Sequence, residues 1–123
     1  MKKAIVVVDM QKDFIDGALG TKEAQEMLPR MEAKLSAAQA AGTKLVFTMD
    51  THGEDYLATQ EGRRLPVPHC IRGTEGWEIA ASLQPFVRAA AAVVEKPAFG
   101  STELPALLED CDEIELVGLC TDI

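Results

Sequence analysis

Apolar positions along this chain fall into two rhythms. Continuous runs occupy Ala4-Ile5-Val6-Val7-Val8, Lys44-Leu45-Val46-Phe47-Thr48-Met49, Ala92-Val93-Val94-Glu95 and Ile114-Glu115-Leu116-Val117-Gly118-Leu119. Each run is short, and Ile5 to Val8 lacks the alternation of a half-solvated strand, so these segments predict strands, the first buried on both faces. Leu28, Met31, Leu35 and Ala38 recur instead at helical spacing. Pro29 is tolerated near a helix start and Gly42 suits a helix end, which predicts a helix from Pro29 to Ala41. A short helix is expected around Trp77 to Leu83, and Thr102 should cap another through about Asp110, with Pro105 in its first turn. The stretch from Thr51 to about Gly76 is irregular and carries both histidines. Loops longer than roughly 12 to 15 residues are usually functional or disordered. This one has Tyr56, Leu57, Val67, Ile71 and Trp77 to pack, so it is expected to be ordered.

Strands separated by crossovers of a dozen or more residues form parallel sheets with right-handed connections. The expected class is α/β, a three-layer αβα architecture with a Rossmann-like parallel sheet of which the chain supplies about four strands. The carboxyl ends of parallel strands share one edge, where ligands bind. Each run here meets a residue capable of chemistry at that edge: Asp9, Asp50, Lys96 and, in the last, Cys120. No Gly-x-Gly-x-x-Gly follows the first strand and no glycine-rich loop ends in Gly-Lys-Ser, so a nucleotide-cradling loop is not expected. The final Gly118-Leu119-Cys120-Thr121-Asp122-Ile123 stops as a strand finishes, and residues 1–123 read as the N-terminal two thirds of a single larger domain.

Composition narrows the partners. The 123 residues suit one domain, and a net charge of -8 disfavours nucleic acid and anionic membranes, which are bound mainly through Lys and Arg. A small molecule is the expected partner. No window reaches the roughly 18 to 20 apolar residues of a membrane span. Met1-Lys2-Lys3 leads into a strand rather than a cleavable signal, so a cytoplasmic location is expected. Cys70, Cys111 and Cys120 are odd in number and far apart, which suits reduced thiols better than a disulfide framework.

Beyond composition, the first strand runs into Val7-Val8-Asp9-Met10-Gln11-Lys12-Asp13-Phe14, the third ends at Lys96, and Gly118-Leu119-Cys120-Thr121-Asp122 follows the fourth. An Asp-x-Gln-x-Asp-Phe motif, a strand-end lysine and Gly-x-x-Thr-Asp, in that order, resemble the isochorismatase-like cysteine hydrolases, whose best-known members are nicotinamidases. The loop agrees: Asp50-Thr51-His52, then Pro68-His69-Cys70-Ile71-Arg72-Gly73-Thr74-Glu75-Gly76, resembles the nicotinamidase metal loop. The chain departs from that pattern at Leu57, where nicotinamidases often carry a further histidine, and at Leu65-Pro66-Val67-Pro68, which lacks their aromatic residue.

The resemblance implies a set of roles. Asp9 would shuttle a proton from the attacking thiol to the leaving amine, although alone it reads equally as a carboxylate capping a turn. Lys96 would hold the nucleophile as a thiolate; its plain alternative is a solvated strand-end lysine. Asp50, His52 and His69 would hold a divalent metal, zinc first, iron or manganese otherwise. Gln11 and Phe14 match the family's polar and ring-contacting pocket residues, and Phe14 serves as well for a core aromatic. The family's nucleophilic cysteine follows the threonine by three residues, which places it immediately after Ile123 and gives Cys120 the backbone N–H of the oxyanion hole, beside a cis peptide after Leu119. The implied reaction cleaves the C–N bond of a small amide through a thioester. Members cleaving isochorismate, ureido compounds or N-carbamoyl amines are the sibling alternative, and a non-catalytic acidic binding module is the alternative from another class. Many relatives are homo-oligomers, which is the corresponding expectation for this chain.

Overall fold

The computed structural model describes residues 2–96 and 108–118, apart from the side chains of Glu61 and Lys96. Strands β1 (Lys3–Val8), β2 (Lys44–Asp50), β3 (Ala92–Lys96) and β4 (Glu113–Gly118) form one parallel sheet in the order β3-β2-β1-β4. The four apolar runs are these strands. β1 is central because its side chains are apolar on both sides: Ile5 and Val7 join one core, Ala4 and Val6 the other.

Helix α1 (Lys12–Ile15) is a single turn after β1, and α2 (Lys22–Ala40) returns the chain along the sheet. Ala24, Met31, Leu35 and Ala38 of α2 pack against Ile5, Val7, Leu45 and Phe47. The helix therefore begins well before Pro29. Thr21 starts it, its hydroxyl accepting the Ala24 N–H at 3.0 Å. Pro29 is tolerated mid-helix because it faces solvent, where the carbonyl that loses its N–H partner can turn to water. The far end is as expected. Gly42, with φ of 78°, sends its N–H to Gln39, and Thr43 sends its own to Ala38 at 2.9 Å, a Schellman closure that a left-handed residue permits.

The irregular stretch is ordered by short elements: a 3₁₀ turn at Tyr56–Ala58, α3 (Gln60–Arg64) and a 3₁₀ turn at Glu75–Trp77. The helix expected from Trp77 to Leu83 is absent. Ile79 instead pairs antiparallel with Gln11, Lys12 donates its N–H to Glu78 and Ala80 donates to Met10, so residues 78–80 are held extended. A 3₁₀ turn (Ala81–Leu83) and α4 (Gln84–Ala89) follow. The helix expected from Thr102 to Asp110 falls largely on 97–107, outside the described residues. Among the described residues no helix is long and apolar enough to cross a membrane.

Candidate active site

The carboxyl edge of the sheet gathers most of the residues singled out in the sequence. Asp9 follows β1 in a left-handed conformation, φ 51°, which turns the chain off the sheet. Its N–H still reaches the Thr48 carbonyl at 3.2 Å, and the Thr48 hydroxyl donates to Asp9 Oδ1 at 2.9 Å. The carboxylate is 0% exposed. A buried carboxylate must be hydrogen-bonded, and Thr48 provides part of that shell while fixing its rotamer. The backbone of Lys96 pairs with Asp50 at the end of β3, its side chain outside the described residues. Gly118 ends β4 beside Val8, immediately before Asp9. Its φ is 108°, and a Cβ there would stand 2.4 Å from the Val8 carbonyl oxygen, so only glycine fits. Cys120 and the Thr121-Asp122 pair follow it outside the described residues.

Gln11 is completely buried, and its carboxamide is engaged by main chain. Nε2 donates to Asp50 O at 2.8 Å and Trp77 O at 2.7 Å, while Oε1 accepts the Asp50 N–H at 2.8 Å. The carboxamide thus stands where the main chain of β1 would have continued its ladder with β2. Its observed place is that of a clamp between strand ends. Nothing in the sequence around Gln11 indicates this, because both partners are far along the chain.

Asp50 and His52 are two apart at a strand end, which puts them on one side. His52 Nε2 lies 3.0 Å from Asp50 Oδ2, and His69 Nε2 lies 3.7 Å from the same oxygen. His69 reaches the site through pairing past the end of β2: the His52 N–H donates to Cys70 O and the Arg72 N–H to His52 O, each at 2.9 Å. The Val67 carbonyl lies 2.7 Å from His69 Nδ1. A carbonyl can only accept, so Nδ1 carries the hydrogen and Nε2 faces Asp50. All three side chains are buried, and their ligand atoms lie within 4.8 Å of one another. Zinc bonds of about 2.0 to 2.2 Å would draw such donors slightly closer, and one carboxylate with two imidazoles suits that ion, so the set fits.

Aromatic rings enclose the pair. Tyr56 packs edge-on against His52 and His69 with centroids 4.6 and 5.0 Å away, its hydroxyl donating to Leu65 O at 2.7 Å. Phe14 is buried and meets His69 edge-on at 5.4 Å. Leu57, next to Tyr56, is 54% exposed and supplies no donor. Tyr56 and Asp13 also border this cluster, Tyr56 through the two imidazoles and Asp13 through the Cys70 N–H; the sequence offered Tyr56 only as a packing residue and gave Asp13 no role. A separate cleft of about 490 Å³, lined by Lys12, Asp13, Asp16, Glu75, Gly76 and Ser82 among others, includes none of Asp9, Asp50, His52 or His69. The convergent chemistry lies at the sheet edge.

Comparison with known proteins accords with this arrangement. The family profile described as Isochorismatase domain matches residues 3–123. The crystal structure of nicotinamidase PncA from Bacillus subtilis superposes with a TM-score of 0.84 at 33% identity, covering 100% of this chain and 74% of that one. N-carbamoylsarcosine amidase from Thermoplasma acidophilum gives 0.83 at 32% identity, over 100% of this chain and 70% of that one. The zinc complex of the Pyrococcus horikoshii pyrazinamidase gives 0.75 at 26% identity, over 98% and 72%. The chain belongs to the isochorismatase domain family, as an amidohydrolase.

Proposed function

We propose that the protein hydrolyses the C–N bond of a small ring carboxamide of the nicotinamide type, through a thioester. The observation that carries this reading is one sheet edge bearing both a buried, Thr48-held Asp9 and the Asp50, His52 and His69 trio. Asp9 takes the proton of the attacking thiol and delivers it to the leaving nitrogen. Sulfur bonds to the carbonyl carbon, the C–N bond breaks and ammonia leaves. Water then cleaves the thioester, giving its proton to Asp9 and its hydroxyl to the acid, and the thiol is regenerated. Lys96 holds the sulfur as thiolate, and the backbone N–H of Cys120 stabilises the oxyanion. We place the nucleophilic cysteine directly after Ile123. Asp50, His52 and His69 would hold a divalent cation, zinc first, whose Lewis acidity would be available to orient the substrate. Phe14, packed edge-on against His69, is assigned the contact with the substrate ring.

A second reading, hydrolysis of an N-carbamoyl amine, is favoured by the similarity to the Thermoplasma acidophilum amidase. Ammonia release from nicotinamide and from an N-carbamoyl amino acid separates the two. The proposal expects nicotinamide to be preferred by at least about tenfold in kcat/KM. It expects Asp9→Asn to lower kcat by roughly 10² to 10⁴, the usual contribution of a general acid–base. Preference for the carbamoyl substrate would establish the second reading, and ammonia from neither would refute both.

A further inference from the structure

We propose that Asp13 is a positioning residue for the His69 arm, acting through the backbone of Cys70; the inference rests on the reading of Asp50, His52 and His69 as metal ligands. Asp13 Oδ2 accepts the Cys70 N–H at 2.7 Å, the short distance of a charge-assisted bond. Cys70 needs such an anchor. It is a non-glycine residue at φ 49°, completely buried, and it turns the chain between His69 and the segment that pairs with His52. A left-handed conformation at a residue with a Cβ is strained and persists only where its surroundings over-determine it. The carboxylate of Asp13 supplies that determination at the residue next to a ligand.

Two further observations fix the carboxylate itself. Its Oδ1 lies 3.4 Å from the Ala18 N–H, which ties it to the turn after α1. A Cβ on Gly76 would stand 2.1 Å from Oδ1 and 2.3 Å from Oδ2, so the chain at residue 76 presses directly on the carboxylate. Gly76 is there because Asp13 occupies the space a side chain would need. Phe14, the next residue, packs on His69, so α1 holds the arm at two consecutive positions.

The test uses zinc affinity, measured by competition with a chromophoric chelator, and hydrogen exchange of the Cys70 and Arg72 amides in metal-free protein. Asp13→Ala should weaken zinc binding roughly 10- to 100-fold, the usual effect of losing an outer-shell partner. It should speed exchange at Cys70 by a similar factor while the protein still unfolds cooperatively. Asp13→Asn keeps an acceptor oxygen and should recover most of the loss. Gly76→Ala, which displaces the carboxylate, should weaken zinc binding in the natural background and add little to Asp13→Ala, because the two act on one contact. If Asp13→Ala does not fold, Gly76→Ala and Asp13→Asn still decide the matter. Natural zinc affinity and Cys70 exchange in a folded Asp13→Ala or Gly76→Ala protein would overturn the proposal, as would additive effects in the double variant. If the natural protein binds no zinc, the metal reading fails separately, and Cys70 and Arg72 exchange alone judges whether Asp13 orders the arm.

Discussion

Replacing Gln11 separates a clamp from a substrate contact. The carboxamide satisfies three main-chain groups at 2.7 to 2.8 Å, the buried Asp50 N–H and Asp50 O and the part-buried Trp77 O. Leaving a buried polar group without its partner costs about 1 to 3 kcal/mol. In Gln11→Ala water would re-satisfy the part-buried Trp77 O and some of the rest, so the expected loss, carried by the two Asp50 groups, is about 2 to 4 kcal/mol. That is a large share of the roughly 5 to 15 kcal/mol that stabilises a domain. With a urea slope of about 1.5 kcal/mol/M, the unfolding midpoint should fall by about 1.3 M or more. Gln11→Glu keeps the shape but turns the donating end into an acceptor facing two carbonyls, and should lose at least as much. The assay is urea unfolding followed by circular dichroism, with KM measured on whatever remains folded. A midpoint within about 0.5 M of the natural protein, together with a raised KM, would refute the clamp and return Gln11 to the substrate pocket.

Other expectations follow from the same geometry. Gly118→Ala meets both a φ of 108° and a Cβ position 2.4 Å from Val8 O, so it should destabilise the β1–β4 pairing by more than about 2 kcal/mol, read as a lowered thermal midpoint. At the opposite edge of the sheet, hydrogen bonds from Lys44 and then Lys2 hold the Asp110 carboxyl below its ordinary value. A carboxylate depressed in the folded state contributes stability above its unfolded pKa that is lost as pH falls through the folded one. Lys44→Ala should therefore raise the Asp110 pKa in an NMR titration and soften the loss of stability on acidification below about pH 4. An unchanged titration would show that the ion pair does not persist in solution.

Much of this arrangement was legible in the residues. Strand positions were clear because short apolar runs mark strands, least interrupted where β1 and β2 are buried, and the same runs located Asp9, Asp50 and Lys96 at one edge. Asp50, His52 and His69 were grouped by the resemblance, with both histidines falling in the loop after a strand-end Asp. Three things were hidden for physical reasons. Pro29 looked like a boundary because proline breaks a helix only where its missing bond cannot be replaced, and exposure is not written in a sequence. The extended segment 78–80 depends on pairing with residues 10–12, 66 to 70 positions away, and no local propensity encodes that. Gln11 and Asp13 use side-chain bonds to main chain across 39 and 57 positions, which no local pattern encodes; the resemblance gave Gln11 a pocket role and said nothing of these contacts.

Ammonia release from nicotinamide by metal-stripped protein, before and after one equivalent of zinc, bears most directly on the proposal that a cation at the Asp50, His52 and His69 site serves amide cleavage at this edge. We expect stripping to abolish turnover and one equivalent to restore it, with no restoration in His69→Ala. Full turnover in the stripped protein, or restoration in His69→Ala, would contradict it.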